Sequence, residues 1–76
     1  MEMNKNSEKA DALANLYRAT LSLARKDKET GLVFLNKAKE ILGDNVVKLI
    51  QGVTTTQEQE YWAEKVLDYY NKLRLA

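Results

Sequence analysis

The C-terminal third of the chain, residues 55–76, has the sequence TTQEQEYWAEKVLDYYNKLRLA. Its large apolar side chains recur at intervals of three and four residues, at Trp62, Val66, Tyr69 and Leu73. In an α-helix this spacing places them on one side. The segment therefore predicts a long amphipathic helix, and we expect the upstream chain to fold over its apolar side.

A capping box marks the start of this last helix. In that motif a Ser or Thr and a Glu or Gln three residues later each bond to the other's backbone N–H. Thr55 and Glu58 match the pattern, which also recurs one residue to either side. We therefore expect the helix to begin close to residue 55.

Two further long helices are predicted upstream. Ser7 is a suitable N-cap for the first, which should end near residues 25–28, and Asp27 is a suitable N-cap for the second. Gly31, inside the second helix, would let a neighbouring helix come close. The apolar positions of the first helix are Leu13, Leu16, Tyr17, Thr20, Leu21 and Ala24, and those of the second are Phe34, Leu35, Ala38, Ile41 and Leu42.

A short helix is predicted between the second and the last long helix. Gly43 is a natural end for the second helix, and Asp44 is the expected N-cap of a helix over residues 44–51 that Gly52 would end. Two turns of helix are not stable alone, so this segment should pack against the others.

These segments together predict one small all-α domain. Residues 1–6 have no apolar periodicity and are expected to form a flexible N-terminal tail, which leaves residues 7–76 as a single helical domain. Short connections favour antiparallel neighbours. The expected fold is an antiparallel three-helix bundle, running up, down and up, with an additional short helix between the second and last long helices.

The composition excludes most kinds of catalytic and metal site. Twelve basic and eleven acidic residues give a net charge of +1, so no global attraction to nucleic acid or membrane is expected. The chain has no His and no Cys, which removes the usual zinc sites, disulfides and Ser–His–Asp or Cys–His catalysis. We therefore predict a protein without catalytic residues, metal ligands or cofactors. The lack of a signal-peptide core and of a long apolar run favours a cytoplasmic location.

The best candidate for a binding surface is a row of carboxylates on the last helix, Glu60, Glu64 and Asp68, which we call the acidic row. Like charges four residues apart repel, a small cost that a basic partner would offset. Tyr61 should be exposed beside this row, as interface tyrosines often are. With Lys72 these residues form the predicted partner-binding set. The alternative is a solvated surface on which Lys72 neutralises Asp68.

A second function remains open, because residues 38–50, AKEILGDNVVKLI, resemble a helix-turn-helix. A basic set accompanies this run: Arg18, Arg25, Lys26 and Lys28, with Lys37 and Lys39 further along. Against it, the segment 44–51 is short and apolar with Lys48 as its only cation, and Lys39 stands where that motif prefers Ala.

Two motifs resemble those of MIT domains, three-helix modules that bind helical tails of membrane-remodelling proteins. They are LNKAKEIL at residues 35–42 and the spacing Tyr69, Lys72, Leu75 in the last helix. The resemblance implies a peptide groove between the second and last long helices, and the sequence departs from it at Gly43, which would interrupt the second helix. The positions that match the groove are Leu35, Ala38, Leu42, Lys72 and Leu75.

The expected function is therefore that of a protein–protein interaction module or small regulatory subunit. It would bind a helix of a partner protein or a second copy of the chain. A nucleic-acid-binding protein of helix-turn-helix type is the alternative, and nothing in the sequence indicates a small-molecule substrate.

Overall fold

The computed structural model describes the backbone of residues 5–76 and the side chains of residues 7–76. It contains four α-helices, α1 (Lys5–Ala24), α2 (Lys28–Leu42), α3 (Asp44–Thr55) and α4 (Gln59–Leu75). Within the described residues there is no strand, so the all-α prediction is confirmed. Lys5 and Asn6, from the predicted tail, belong to α1, and the rest of that tail lies outside the described residues.

Two predicted capping residues are confirmed at the ends of α2. Asp27 Oδ1 accepts a hydrogen bond from the Thr30 N–H at 3.3 Å, immediately before the helix. Gly43 follows the helix with φ of 69°, and its N–H donates to the Lys39 carbonyl at 2.8 Å. Glycine suits this position because a positive φ costs it no steric energy.

Three other predicted boundaries are wrong. Because α1 begins at Lys5, Ser7 lies inside that helix rather than capping it. Gly43 precedes α3 directly, so Asp44 is its first helical residue and not its N-cap. Gly52 does not end α3, which continues to Thr55. The sequence marked Gly52 as a helix end, but the structure uses it for a close contact with Trp62.

The predicted capping box of the last helix is also absent. The Thr55 hydroxyl donates backwards to the Gln51 carbonyl at 3.0 Å, and Thr55 is the last residue of α3 rather than a cap of the next helix. Thr56 Oγ1 instead accepts from the Glu58 N–H at 2.8 Å in the short turn that follows. As a result α4 begins at Gln59, and no side chain caps its first turn.

The four helices pack in the cyclic order α1, α2, α3, α4, with main contacts between each helix and its two neighbours in that order. Three contacts show that α4 runs antiparallel to α1: Lys9 Nζ with the Ala76 carbonyl at 3.0 Å, the rings of Tyr17 and Tyr70 at 5.7 Å between centroids, and Lys26 Nζ with Glu60 Oε1 at 4.0 Å.

The direction of α3 explains why α4 runs opposite to α1. Lys28 Nζ, at the start of α2, donates to the Thr56 carbonyl just after α3 at 2.6 Å, so these two helices are antiparallel along their length. At about 1.5 Å per residue, α3 is about 18 Å long and returns the chain along the side of α2. The predicted three-helix arrangement, in which the last helix would run parallel to the first, is therefore not confirmed.

The core is formed by small and medium apolar residues from all four helices. Val66 is fully buried on α4, and Trp62, Tyr69 and Leu73 pack against the core while partly exposed, so the predicted apolar side of α4 does face inward. The prediction for Gly31 is also confirmed, since a Cβ there would lie 2.9 Å from Leu23 Cδ2. The buried core residues are Leu16, Ala19, Leu23, Leu35, Ala38, Val46, Val53, Ala63 and Val66.

Candidate functional site

The acidic row lies on the outer surface of α4, where Glu60, Glu64 and Asp68 are all exposed. Among residues 7–76, Glu60 is the member of this row that forms an ion pair, with Lys26 at 4.0 Å. Both side chains of that pair are 72% exposed, so the pair contributes little to stability. Asp68 and exposed Lys72 form no ion pair with each other in this described region, which leaves both charges available to another molecule.

Tyr61 is the exposed aromatic residue of this surface, with 47% of its area accessible. Lys65 Nζ lies 5.2 Å from the centre of its ring. On the other side the Trp62 ring meets it edge to face, with 5.7 Å between centroids and an interplanar angle of 85°. These two contacts hold the tyrosine ring in place while its outer face remains accessible.

A depression of about 390 Å³ lies beside Tyr61, at the start of α4. Its lining is polar and includes the carboxylates of Glu58 and Glu60, opposite Lys26. Gln59 also lines it, and its Oε1 is buried without a hydrogen-bond partner among the described residues. Because two carboxylates and the unpaired Gln59 Oε1 lie here, the depression suits a hydrogen-bond donor such as a lysine or arginine side chain.

The largest difference from the sequence prediction is an apolar strip between α1 and α4. Tyr17 and Leu21 were assigned to the apolar side of the first helix, yet they are 47% and 44% exposed. Tyr17 contacts Tyr70, and Leu67 lies one turn before Tyr70 on the same side of α4. We call these four residues the α1–α4 strip. Only the width of the apolar arc on the first helix hinted at its presence.

The basic set does not form one patch. Lys28 donates to the Thr56 carbonyl, and Arg18 lies 6.0 Å from the Phe34 ring, so both have partners within the chain. Lys37 Nζ lies 5.6 Å from that same ring. The remaining members are exposed, with Arg25 and Lys26 in the turn after α1 and Lys39 on α2.

The region that resembled a helix-turn-helix has a different geometry. A single residue, Gly43, separates α2 from α3, and the two helices lie antiparallel side by side. In the DNA-binding motif the two helices cross at about 90–120° after a turn of three or four residues. The third helix is longer than predicted and Lys48 is exposed on it, but Asp44 at its start offsets that charge.

The positions implied by the resemblance to MIT domains are not assembled into an open groove. Leu35 and Ala38 are fully buried, and Leu42 is half-buried. Lys72 and Leu75 lie at the exposed end of α4, where Leu75 is 79% accessible. The helices α2 and α4 that would form the groove are separated in the cyclic order by α1 and α3.

Two side chains outside the candidate site have shifted pKa values. Burial raises the pKa of the Tyr69 hydroxyl, and a hydrogen bond with Asn45 on α3 opposes part of that increase. Hydrogen bonds from Thr30, first from its hydroxyl and then from its backbone N–H, lower the pKa of Asp27. Both groups stabilise local contacts, and neither lies next to the acidic row.

Neither a metal-binding cluster nor a membrane-spanning helix is present in the described part of the chain. Residues 7–76 contain no group of three or more Asp, Glu, His or Cys side chains arranged to hold a metal ion. None of the helices described is both long enough and apolar enough to cross a membrane.

Comparison with known proteins gives no relative from which a function could be transferred. No protein-family model, curated protein or solved structure matches the chain.

Proposed function

We propose that the chain is a non-enzymatic protein–protein interaction module or small regulatory subunit. The outer face of α4 would receive an amphipathic helix, from a partner protein or from a second copy. The observation that carries this proposal is Tyr61, an exposed ring held between Lys65 and Trp62 beside the acidic row. The antiparallel helices behind it serve as a rigid scaffold.

Tyr61 has the properties of a binding anchor. Tyrosine is enriched among the residues whose removal weakens interfaces most, because it offers a large contact area with few rotatable bonds. The two ring contacts restrict it further, so little conformational entropy is lost when a partner covers it.

The acidic row defines the chemistry of the partner. Glu60, Glu64 and Asp68 repeat every four residues, so they match a helix that carries Lys or Arg at the same spacing along one edge. Such complementary charges mainly increase the association rate and fix the register of the two helices. Lys72, one turn further on, would take an acidic residue of the partner.

A pair of synthetic helical peptides tests the proposal. Both carry the same apolar side, and they differ only in having Lys or Glu at every fourth position along one edge. We expect the Lys peptide to bind at least about tenfold more tightly than the Glu peptide. Trp62 is the only tryptophan and contacts Tyr61, so its fluorescence reports binding at this surface.

The substitution Tyr61→Ala should weaken binding of the Lys peptide by about tenfold or more. Val33 is the matched control, because it is 51% exposed on α2 and Val33→Ala should leave the affinity unchanged. Equal binding of both peptides, or an unchanged affinity of a folded Tyr61→Ala variant, would contradict the proposal.

The helix-turn-helix-like nucleic-acid binder remains the second candidate and has less support, since no observation favours it beyond the exposed Lys39 and Lys48. It requires DNA binding that weakens steeply with salt and that Lys39→Ala or Lys48→Ala reduces. Retention of the chain on duplex DNA at low salt would support it over the interaction module.

A further inference from the structure

The α1–α4 strip is an apolar surface that the chain itself does not cover. Tyr17 and Leu21 lie one turn apart on α1 and remain about half exposed, and half-buried Leu67 and Tyr70 continue the surface onto α4. Contiguous exposed apolar surface marks interaction sites.

The two edges of the strip carry opposite charges. On the side of α1 away from α4 lie exposed Arg18 and, in the turn that follows the helix, exposed Arg25, four residues after Leu21. Along α4, Glu64 and Asp68 lie beyond Leu67 on the side away from α1, with Glu64 one turn before Leu67, whereas Glu60 lies nearer to α1 and pairs with Lys26. An apolar surface between a basic and an acidic edge is complementary to itself.

We propose that a second copy of the chain covers this strip, in a symmetric dimer whose two-fold axis runs parallel to the helices. The proposal rests on the proposed function, because it uses the same acidic row and names the occupant. With this axis, α1 of one copy lies over α4 of the other, so each basic edge meets an acidic edge. A two-fold axis perpendicular to the helices would place α1 over α1 and oppose arginine to arginine.

The same symmetry fixes which charges meet. Within one chain Tyr17 lies level with Tyr70, and Lys26 lies level with Glu60. Interpolation places Arg18 and Arg25 each about one residue from the levels of Asp68 and Glu60. Rotation about an axis parallel to the helices preserves these levels. Arg18 and Arg25 therefore lie within reach of Asp68 and Glu60 of the second copy, each about one residue from the same level.

Charge reversal tests this pairing directly. One variant carries Arg18→Glu and Arg25→Glu, and the other carries Glu60→Arg and Asp68→Arg. Each variant alone opposes like charges at both edges and should remain monomeric. An equimolar mixture restores opposite charges at both edges of a mixed dimer, so it should associate as the unmodified chain does. Circular dichroism verifies that these exposed substitutions leave the helices intact.

The measurement is sedimentation equilibrium of the full chain from about 10 µM to about 1 mM, because a strip of four large side chains supports only a weak dimer. Association should weaken between about 50 mM and about 500 mM NaCl, since salt screens exposed charges. Leu21→Glu should raise the dimer Kd by about tenfold or more, whereas Val33→Glu, on the exposed face of α2, should not.

If the unmodified chain remains monomeric throughout this concentration range, the proposed dimer is wrong. If that monomer still bound the Lys peptide, the proposed interaction module would stand without self-association. A dimer that strengthens with salt, or a mixture of the two variants that stays monomeric, would overturn the parallel axis and the pairing of the edges.

Discussion

Replacing Gly52 with alanine tests how α4 packs against α3. The indole of Trp62 lies directly on the backbone of Gly52, in the middle of α3. A Cβ built on this glycine would lie 2.5 Å from Trp62 Cζ3 and still closer to two other ring atoms. Carbon atoms without a bond between them are comfortable at about 3.5–4.0 Å, so the ring must move outward by at least about 1 Å.

Two opposing effects determine the change in stability. Alanine favours the interior of a helix by about 1 kcal/mol over glycine, which would stabilise the variant. Overpacking of a well-packed contact typically costs about 1–3 kcal/mol, and the displaced indole also loses part of its apolar burial at about 25 cal/mol per Å². We expect the losses to exceed the gain, with a net destabilisation of about 1–2 kcal/mol for Gly52→Ala.

Urea unfolding followed by circular dichroism measures this change, and thermal unfolding should show a Tm lower by roughly 4–16 °C. The fluorescence of Trp62 should shift to longer wavelength as the indole becomes more exposed. In a Trp62→Leu background the obstructing ring is gone. There the same Gly52→Ala substitution should stabilise the chain, by up to about 1 kcal/mol.

A Gly52→Ala variant that is more stable than the unmodified chain and has unchanged fluorescence would refute the reasoning. It would mean that the indole does not rest on Gly52. Gly31→Ala is the matched control, since its Cβ would meet the flexible end of Leu23 at 2.9 Å rather than the face of a rigid ring. Its destabilisation should be the smaller of the two.

Three further predictions concern helix ends and titrating groups. Gly43→Ala should destabilise the chain by about 1–3 kcal/mol in urea unfolding, because a φ of 69° with a ψ of −137° strains an L-residue although no atom lies within 4 Å. Gly43→Asn should not recover the loss, since this ψ lies outside the left-handed helical region that Asn tolerates. Because Thr30 lowers the pKa of Asp27, the stability that this carboxylate provides is present above its ordinary pKa of 3.8 and is lost as the pH falls below it. Asp27→Asn should therefore flatten the acid side of a stability–pH curve measured by urea unfolding, and an equally steep curve would contradict this. Burial raises the pKa of Tyr69, so the stability that its neutral hydroxyl provides is present below pH 10.0 and is lost as the pH rises through the folded-state pKa. Tyr69→Phe should therefore unfold less readily than the unmodified chain above about pH 10.

Local patterns predicted the helices well, because apolar periodicity and helix caps depend on neighbouring residues. Asp27 and Gly43 act as predicted, since an Asp side chain and a positive φ have the same meaning in most contexts. Gly52 and Thr55 do not. A glycine can end a helix or admit a neighbouring ring, and a threonine hydroxyl can bond forward as a cap or backward to a carbonyl. Only the packing of Trp62 on α3 decides between these roles.

The arrangement of the helices and the α1–α4 strip could not be predicted from the sequence, because both depend on how the helices pack against one another. The extra residues of α3 return the chain by a full helix length and reverse α4, and no local signal records that length. The exposed position of Tyr61 followed from its position on the helix. Tyr17 and Leu21 were placed in the core because a wide apolar arc looks buried until the number of covering helices is known.

The cyclic order of the helices also has a consequence for folding kinetics. Three of the four contacts join helices that follow each other in the chain, so most of the structure can assemble through short loops, which is typical of domains that fold in about microseconds to milliseconds. Docking of α4 onto α1 is the one step that must close nearly the entire chain. This seam should form last and open first, so a second molecule clamped across it should slow unfolding by nearly the full factor by which it stabilises the folded chain, and should leave the folding rate almost unchanged.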